Sequence, residues 1–206
     1  GVWDLGWGWN SPSTYLEAAY EANDPRKART IMYTSAGSTT VYGDALPTGL
    51  PNPRYNHKVY TNPAMRASIG NRFGYWMNIR LLRYADVVLM YAEAANEVGG
   101  ADNIALARTA LNTVRARARQ GAPAGTLPDI TTNDQALLRD ATRHERRIEL
   151  AMEHDRFFDL VRWGVAQAVL NASGKPNFAD SRDVLLPIPQ TQIDISGKLL
   201  TQNPGY

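Results

Sequence analysis

The 206-residue chain contains no cysteine. Disulfide bonds, thiolate catalysis and zinc sites built from cysteine are therefore excluded. The three histidines, His57, His144 and His154, lack the His-x3–5-His spacing and the acidic third ligand of a zinc site, and no cofactor is expected. Calcium stays open, because loops rich in Asp and Asn can supply oxygen ligands. No run approaches the roughly 18 apolar residues that a membrane-spanning helix needs.

Sequence fingerprints of common catalytic and nucleotide-binding sites are also missing. There is no G-x-S-x-G or P-loop sequence, and Gly6-Trp7-Gly8 has neither a third glycine nor a preceding strand. The net charge is only +2, and the arginines alternate with acids, which argues against a nucleic-acid-binding protein. The length fits one domain. Because the sequence opens at Gly1 without Met, we expect a fragment or processed piece of a longer protein.

The pattern of apolar residues predicts a mainly α-helical fold behind an irregular first part. A short helix is expected from about Ser13 to Ala22, capped by Ser11 or Ser13. Residues 29–79 are interrupted by glycine and proline, with short strands expected at Thr30–Ser35 and Tyr55–Tyr60.

Two consecutive helices are predicted next. Ile79–Val98 is apolar almost all round, which predicts a buried helix that Gly99-Gly100 ends. A second helix starts at Asp102 or Asn103, and its apolar stripe is formed by Ile104, Ala107, Leu111, Val114 and Ala118. The short turn predicts a single antiparallel hairpin of the tetratricopeptide type, without a second copy.

A third long helix and a proline-rich tail complete the predicted elements. Thr132 and Gln135 form a capping box for a helix that runs to about His154. Its buried stripe is expected to consist of Leu137, Ala141, Ile148 and Met152. After a kink near His154-Asp155, a further helical segment reaches Trp163, and the tail from Lys175 should lie extended against the helices.

The run from Glu145 to Gly164, ERRIELAMEHDRFFDLVRWG, combines helical apolar spacing with many acids and arginines. Glu145 and Glu149 lie one helical turn apart, so a glycosidase with paired carboxylates is one reading. Every acid, however, has an arginine within a turn, which favours structural ion pairs over general-acid catalysis. Arg115, Arg117 and Arg119 are predicted to form a solvated face instead of a phosphate clamp.

These segments, read in order, resemble the C-terminal half of the SusD-like (RagB/SusD) family. The matching motifs are NDPR (23–26), RLLRYADVVLMYAEAANEVGG (80–100), ALNTVRARA (110–118), the charged run (145–164), LLPIPQTQI (185–193) and QNPGY (202–206). His154 stands where the family usually has a glycine. The resemblance covers residues 1–206 as one C-terminal domain, with a loop-rich variable part at 1–78 and a helical part with the tail at 79–206.

The resemblance implies a binding protein and not an enzyme. Members of the family are mainly helical lipoproteins on the outer-membrane surface of Bacteroidetes-type bacteria, where they capture a glycan or other nutrient for a SusC-like TonB-dependent transporter. Attachment to the membrane would come only from a lipid anchor that this sequence does not contain. Two alternatives stay open: a scaffold that docks on the transporter while an absent N-terminal half binds ligand, and a glycosidase.

A tryptophan-rich loop at the start of the chain is the main predicted ligand site. Sugars present C–H faces that lie against aromatic rings, and their hydroxyls pair with amides and carboxylates. The expected ligand contacts are Trp3, Trp7, Trp9, Asn10 and Tyr42. The alternative is that the tryptophans fill an interface with another part of the protein, as large aromatics often do.

Overall fold

A computed structural model of the chain describes residues 9–70 and 76–206. The described part is mainly α-helical, as the sequence predicts, with one two-stranded sheet. The chain divides into two compact units, the first ending at His154 and the second beginning at Asp155. No helix in the described part is both long and apolar enough to span a membrane.

The first unit opens with an irregular lobe held together by short elements. Its helices and strands are α1 (Thr14–Glu17), α2 (Pro25–Thr30), β1 (Ile31–Tyr33), β2 (Arg54–Asn56), a 3-10 helix (His57–Val59) and α3 (Pro63–Ile69). β1 and β2 pair antiparallel, with Met32 opposite Tyr55. These two side chains and Leu46 form a small apolar core.

Several of the predicted boundaries in this lobe are wrong. The first helix ends at Glu17 instead of Ala22, although Ser13 caps it as expected through a hydrogen bond from the Leu16 amide. Helix α2 was not predicted, and it includes Thr30, which the sequence places in a strand. Asp24 starts this helix by accepting the Arg26 amide hydrogen, so the NDPR motif is a helix N-terminus.

Three long helices form the main core of the first unit. They are α4 (Tyr84–Val98), α5 (Ala101–Ala118) and α6 (Gln135–Glu149), and each packs on the other two. The predicted stripe of α5 is confirmed: Ile104, Ala107, Leu111 and Val114 are buried, and Ala118 is half-buried. Paired amides fasten the ends, since Asn96 and Gln135 each donate to the other's backbone carbonyl.

Two expectations about α4 and α6 need correction. Only one face of α4 is buried, because Tyr84, Val87, Met90, Tyr91 and Val98 are exposed. On α6 the fully buried leucine is Leu138, while Leu137 is exposed. The N-cap of the helix is Asp134 instead of Thr132, so the helix begins two residues later than predicted. Thr132 accepts the amide hydrogen of Asp134 and so supports the cap from outside the helix.

The second unit contains four short helices: α7 (Arg156–Arg162), α8 (Ala166–Ala172), α9 (Asp180–Asp183) and α10 (Gln190–Ile195). The tail is therefore partly helical, with extended stretches between the helices. The segments 185–193 and 202–206 are hydrogen-bonded to each other. Gln202 accepts from the Ile188 amide and donates to its carbonyl, and Asn203 donates to the Leu186 carbonyl. The terminal Tyr206 hydroxyl donates to the Leu185 carbonyl.

Candidate functional site

The charged run places two carboxylates in the interior of the first unit. Glu145 is fully buried and accepts hydrogen bonds from Arg26 of α2 and, at 3.0 Å, from Arg115 of α5. Arg26 is also held by Asp24, whose carboxylate accepts from its guanidinium at 2.8 Å. Burial would lower the pKa of Arg26, but the hydrogen bond to Asp24 and the charge of Glu145 raise it instead. Arg26, Asp24, Glu145 and Arg115 thus form one buried network of hydrogen-bonded ion pairs.

Glu149, one turn further along α6, is surrounded by three arginines. It accepts hydrogen bonds from Arg83 at 2.7 Å, from Arg117 at 2.5 Å and from Arg26 at 3.1 Å. Burial alone would raise the pKa of Glu149, but the hydrogen bonds and charges of Arg83 and Arg117 outweigh it and lower the pKa to about 2. A carboxyl group with so low a pKa does not hold a proton near neutrality, so it is a poor general acid.

One prediction about the arginines of α5 is wrong. Arg115 does not belong to a solvated face: it is 3% exposed, and it links Glu145 to Glu21 through hydrogen bonds of 3.0 and 2.7 Å. The hydrogen bond from Arg115 lowers the pKa of Glu21. Alternate positions on a helix do point in different directions, but α5 has neighbours on more than one side. Arg115 therefore contacts Glu145, and Arg117 contacts Glu149, although the two side chains leave the helix in different directions.

A cleft of about 620 Å³ opens beside this network. Its lining residues come from α2, the 3-10 helix, the segment before α4, the end of α5 and the end of α6: Pro25, Arg26, Arg29, Thr30, Lys58, Arg80, Arg83, Arg117, Ala118, Gln120, Glu149 and Glu153. Lys58 donates to Glu153 at 2.5 Å, as does Arg83. Burial would raise the pKa of Glu153, but these two cations lower it.

An exposed aromatic group lies on the irregular lobe. The ring of Tyr42 is 48% exposed, and its centroid is 6.0 Å from that of Tyr60 in a tilted arrangement. The Arg66 guanidinium covers the Tyr60 ring at 4.7 Å and donates to the Thr61 carbonyl. Such an arrangement fixes the inner ring and leaves the outer ring open to a ligand face.

The turn that carries Tyr42 is held from two sides. Thr40 and Asp44 close it: the Thr40 amide donates to the Asp44 carbonyl at 3.0 Å, and the two side chains hydrogen-bond at 2.9 Å. From below, the Val41 amide donates to Nε2 of His57 at 3.2 Å. Nε2 must therefore accept, which leaves Nδ1 to carry the proton that is donated to the Ala28 carbonyl at 2.7 Å.

The predicted ligand residues fall into three groups. Trp3 and Trp7 lie outside the described residues. Trp9 is 83% exposed, and Asn10 beside it adopts a left-handed conformation with φ of 55° in the segment before α1. Tyr42 lies on the turn between β1 and β2. Sequence reasoning did not find Tyr60, Arg66 or His57 as its supports, because no local pattern connects them to the turn.

The described part of the chain contains no group of three or more His, Asp or Glu side chains placed to hold a metal ion. The described residues form a charged cleft and an aromatic surface made by Tyr42 and Tyr60, which suit binding by charge and by stacking.

Comparisons with known proteins agree on one family. The sequence profile of the SusD family matches residues 6–206. The chain is 29% identical over 214 aligned residues to SusD-like protein P2 of Formosa agariphila, an alignment that covers 98% of this chain and 41% of that protein. The chain thus spans well under half the length of this relative.

Solved structures share the fold. A SusD superfamily protein from Bacteroides vulgatus superposes with a TM-score of 0.68 at 22% identity, covering 95% of this chain and 44% of that one. A structure described as a laminarin binding SusD-like protein superposes with a TM-score of 0.65 at 28% identity, covering 94% of this chain and 37% of that one.

Proposed function

This chain belongs to the SusD family, and from that premise we propose that it acts in a cell-surface protein that captures an oligosaccharide. The captured sugar would be passed to a SusC-like TonB-dependent transporter in the outer membrane, where a lipid anchor would hold the protein. The laminarin binding neighbour supports a glycan as ligand.

In this chain, the proposal is supported by Tyr42, whose side chain is about half exposed and packs against the ring of Tyr60. A sugar ring can lie on this face, while the turn behind it is fixed by His57. Trp9 and Asn10, with Trp3 and Trp7, are proposed as further contacts to the same ligand.

Catalysis is not part of the proposal. The paired carboxylates that a glycosidase would need are Glu145 and Glu149, and each is held between arginines in the interior. These contacts with arginine suit ion pairing and not the protonation of a glycosidic oxygen.

The test begins with a glycan array on the intact protein, followed by titration calorimetry with the best ligand. Tyr42→Ala should weaken binding about 2- to 10-fold, the range expected from loss of one aromatic contact. Tyr91→Ala is the matched control, because this tyrosine on α4 is equally exposed at 50%.

If Tyr42→Ala and a Trp3/Trp7/Trp9 triple alanine variant both bind the glycan like the unaltered protein, the ligand site lies elsewhere. This region then serves as a scaffold. Release of reducing sugar that is lost in Glu145→Gln or Glu149→Gln, while circular dichroism shows that the variant is still folded, would instead establish a glycosidase.

A further inference from the structure

The cleft beside α6 contains more positive charge than its carboxylates neutralise. Arg26, Lys58, Arg83 and Arg117 each form an ion pair with a carboxylate. The remaining two cations of the lining, Arg29 and Arg80, are different. Among residues 9–70 and 76–206, neither side chain finds a partner for a hydrogen bond or an ion pair.

Both unpartnered arginines are exposed and line the same cleft from different segments, Arg29 from α2 and Arg80 from the chain before α4. The carboxylates that could neutralise them are already engaged. Glu149 accepts from three arginines, and Glu153 accepts from Lys58 and Arg83. The cleft therefore carries two positive charges without a counterion from the described protein.

Guanidinium groups favour oxyanions that present two oxygen atoms at the spacing of their N–H donors. A planar carboxylate presents such a pair, and a tetrahedral sulfate ester presents one through two of its terminal oxygens. The described residues of the lining include no aromatic side chain, so this part of the cleft is suited to recognise the charge of a ligand and not the face of a sugar ring.

The 3-10 helix His57–Val59 connects the cleft to the aromatic surface. Lys58 lines the cleft, while the preceding residue, His57, holds the turn of Tyr42 and lies edge-on to Tyr60 at 6.0 Å. The cleft and the ring pair Tyr42–Tyr60 are thus linked through two consecutive residues of one 3-10 helix. An oligosaccharide that reaches from one to the other would use both charge and stacking.

We infer that the cleft lined by Arg29 and Arg80 binds the sulfate or carboxylate group of an anionic oligosaccharide whose sugar ring lies on Tyr42. This inference rests on the proposed function, since it names the class of glycan. It makes the ligand an acidic polysaccharide in place of a neutral one.

The test uses the intact protein and two matched pairs of probes: κ-carrageenan oligosaccharide with its desulfated form, and tetragalacturonate with its methyl ester. These pairs distinguish sulfate from carboxylate. Affinities are measured by calorimetry for the unaltered protein and for Arg29→Gln/Arg80→Gln. Because neither side chain has a described partner, the double variant should keep its melting temperature.

The control is Arg108→Gln/Arg139→Gln, which changes the net charge equally at half-buried arginines that do not line the cleft. We expect at least one charged probe to bind tenfold or more tightly than its neutral form. That preference should be lost in Arg29→Gln/Arg80→Gln, retained in the control and reduced by salt.

Other outcomes overturn the inference in distinguishable ways. If charged and neutral forms bind equally, or if the preference survives in Arg29→Gln/Arg80→Gln, the cleft does not bind the anionic group. The proposed function is unaffected by either result. If no glycan of either kind binds, the proposed function fails as well. If inorganic sulfate raises the melting temperature of the protein, but not of Arg29→Gln/Arg80→Gln, and no charged glycan does so, the cleft binds a free anion instead of a glycan.

Discussion

Arg26 and Glu145 lie 119 residues apart in the sequence and form a buried ion pair. The arginine comes from the N-terminal turn of α2, and the glutamate comes from the charged run on α6. Their contact joins the irregular lobe to the three-helix core. The charged run therefore connects two parts of the first unit through its acidic side chains.

Glu145→Gln should destabilise the protein strongly. The substitution leaves Arg26 and Arg115 without one of their counterions in the interior, and removal of one partner from a buried pair costs about 3–5 kcal/mol. Glu97→Gln breaks the pair with Arg139 at the surface and should lower the urea midpoint far less, because solvent screens such a pair. Urea denaturation of both variants checks this; similar midpoints for the two would contradict it.

The ion pairs of Glu149 should make stability depend on pH. Its pKa is lowered from 4.5 to about 2 in the folded state, so the folded protein binds the proton more weakly than the unfolded chain. The stabilisation, about 3 kcal/mol at most, is present above pH 4.5 and lost as the pH falls toward 2.

The measurement is the difference in free energy of unfolding between the unaltered protein and Glu149→Gln. This difference should shrink between pH 5 and about pH 3, because glutamine cannot titrate. Comparing the two proteins at each pH removes the contribution of the other carboxylates. A difference that stays constant over this range would show that Glu149 is not stabilised as a carboxylate.

His154→Gly should stabilise the protein. His154 adopts φ of 77°, a left-handed conformation that a residue with a Cβ atom takes at a cost. Glycine takes it freely, although its larger unfolded-state entropy offsets part of the gain, so we expect a net gain of about 0.5–1 kcal/mol. His154→Ala keeps the Cβ atom and should give no such gain in thermal denaturation. Equal effects of glycine and alanine would refute this explanation.

Gly205→Ala should disturb the end of the second unit. A Cβ atom there would lie 2.6 Å from Cγ of Arg182 and 2.8 Å from its Cβ, and φ is 89°. The Ile188 amide, which donates to Gln202, should then exchange its hydrogen faster. Gly197→Ala is the control, because φ is again positive at 65° but no atom lies within 4 Å. If the Ile188 amide exchanges its hydrogen equally fast in both variants, the contact with Arg182 does not disturb this part of the second unit.

The long helices could be predicted because their information is local. Apolar residues at helical spacing identified α5 and four of its buried side chains, and Gly99-Gly100 marked the end of α4. Boundaries were less accurate where a side chain two residues away provides the cap, as Asp134 does in place of Thr132. The exposed face of α4 was missed, because an apolar pattern does not show whether a neighbour covers each side.

The backbone conformation at position 154 explains why the family usually has a glycine there. The resemblance identified the position as a deviation, and the structure shows a backbone conformation that glycine prefers. The predicted end of the third helix at about His154 is wrong, because α6 ends at Glu149, and the next helix, α7, begins at Arg156.

The sequence by itself determined the family, the main helices and the balance of charge in the run from Glu145, because motifs, periodicity and composition are properties of neighbouring residues. Only the tertiary structure decided which arginine faces which carboxylate. The partners come from segments up to 123 residues apart, and chain folding alone brings them together. For the same reason, only the fold showed that Arg29 and Arg80 share a cleft and that His57 supports Tyr42.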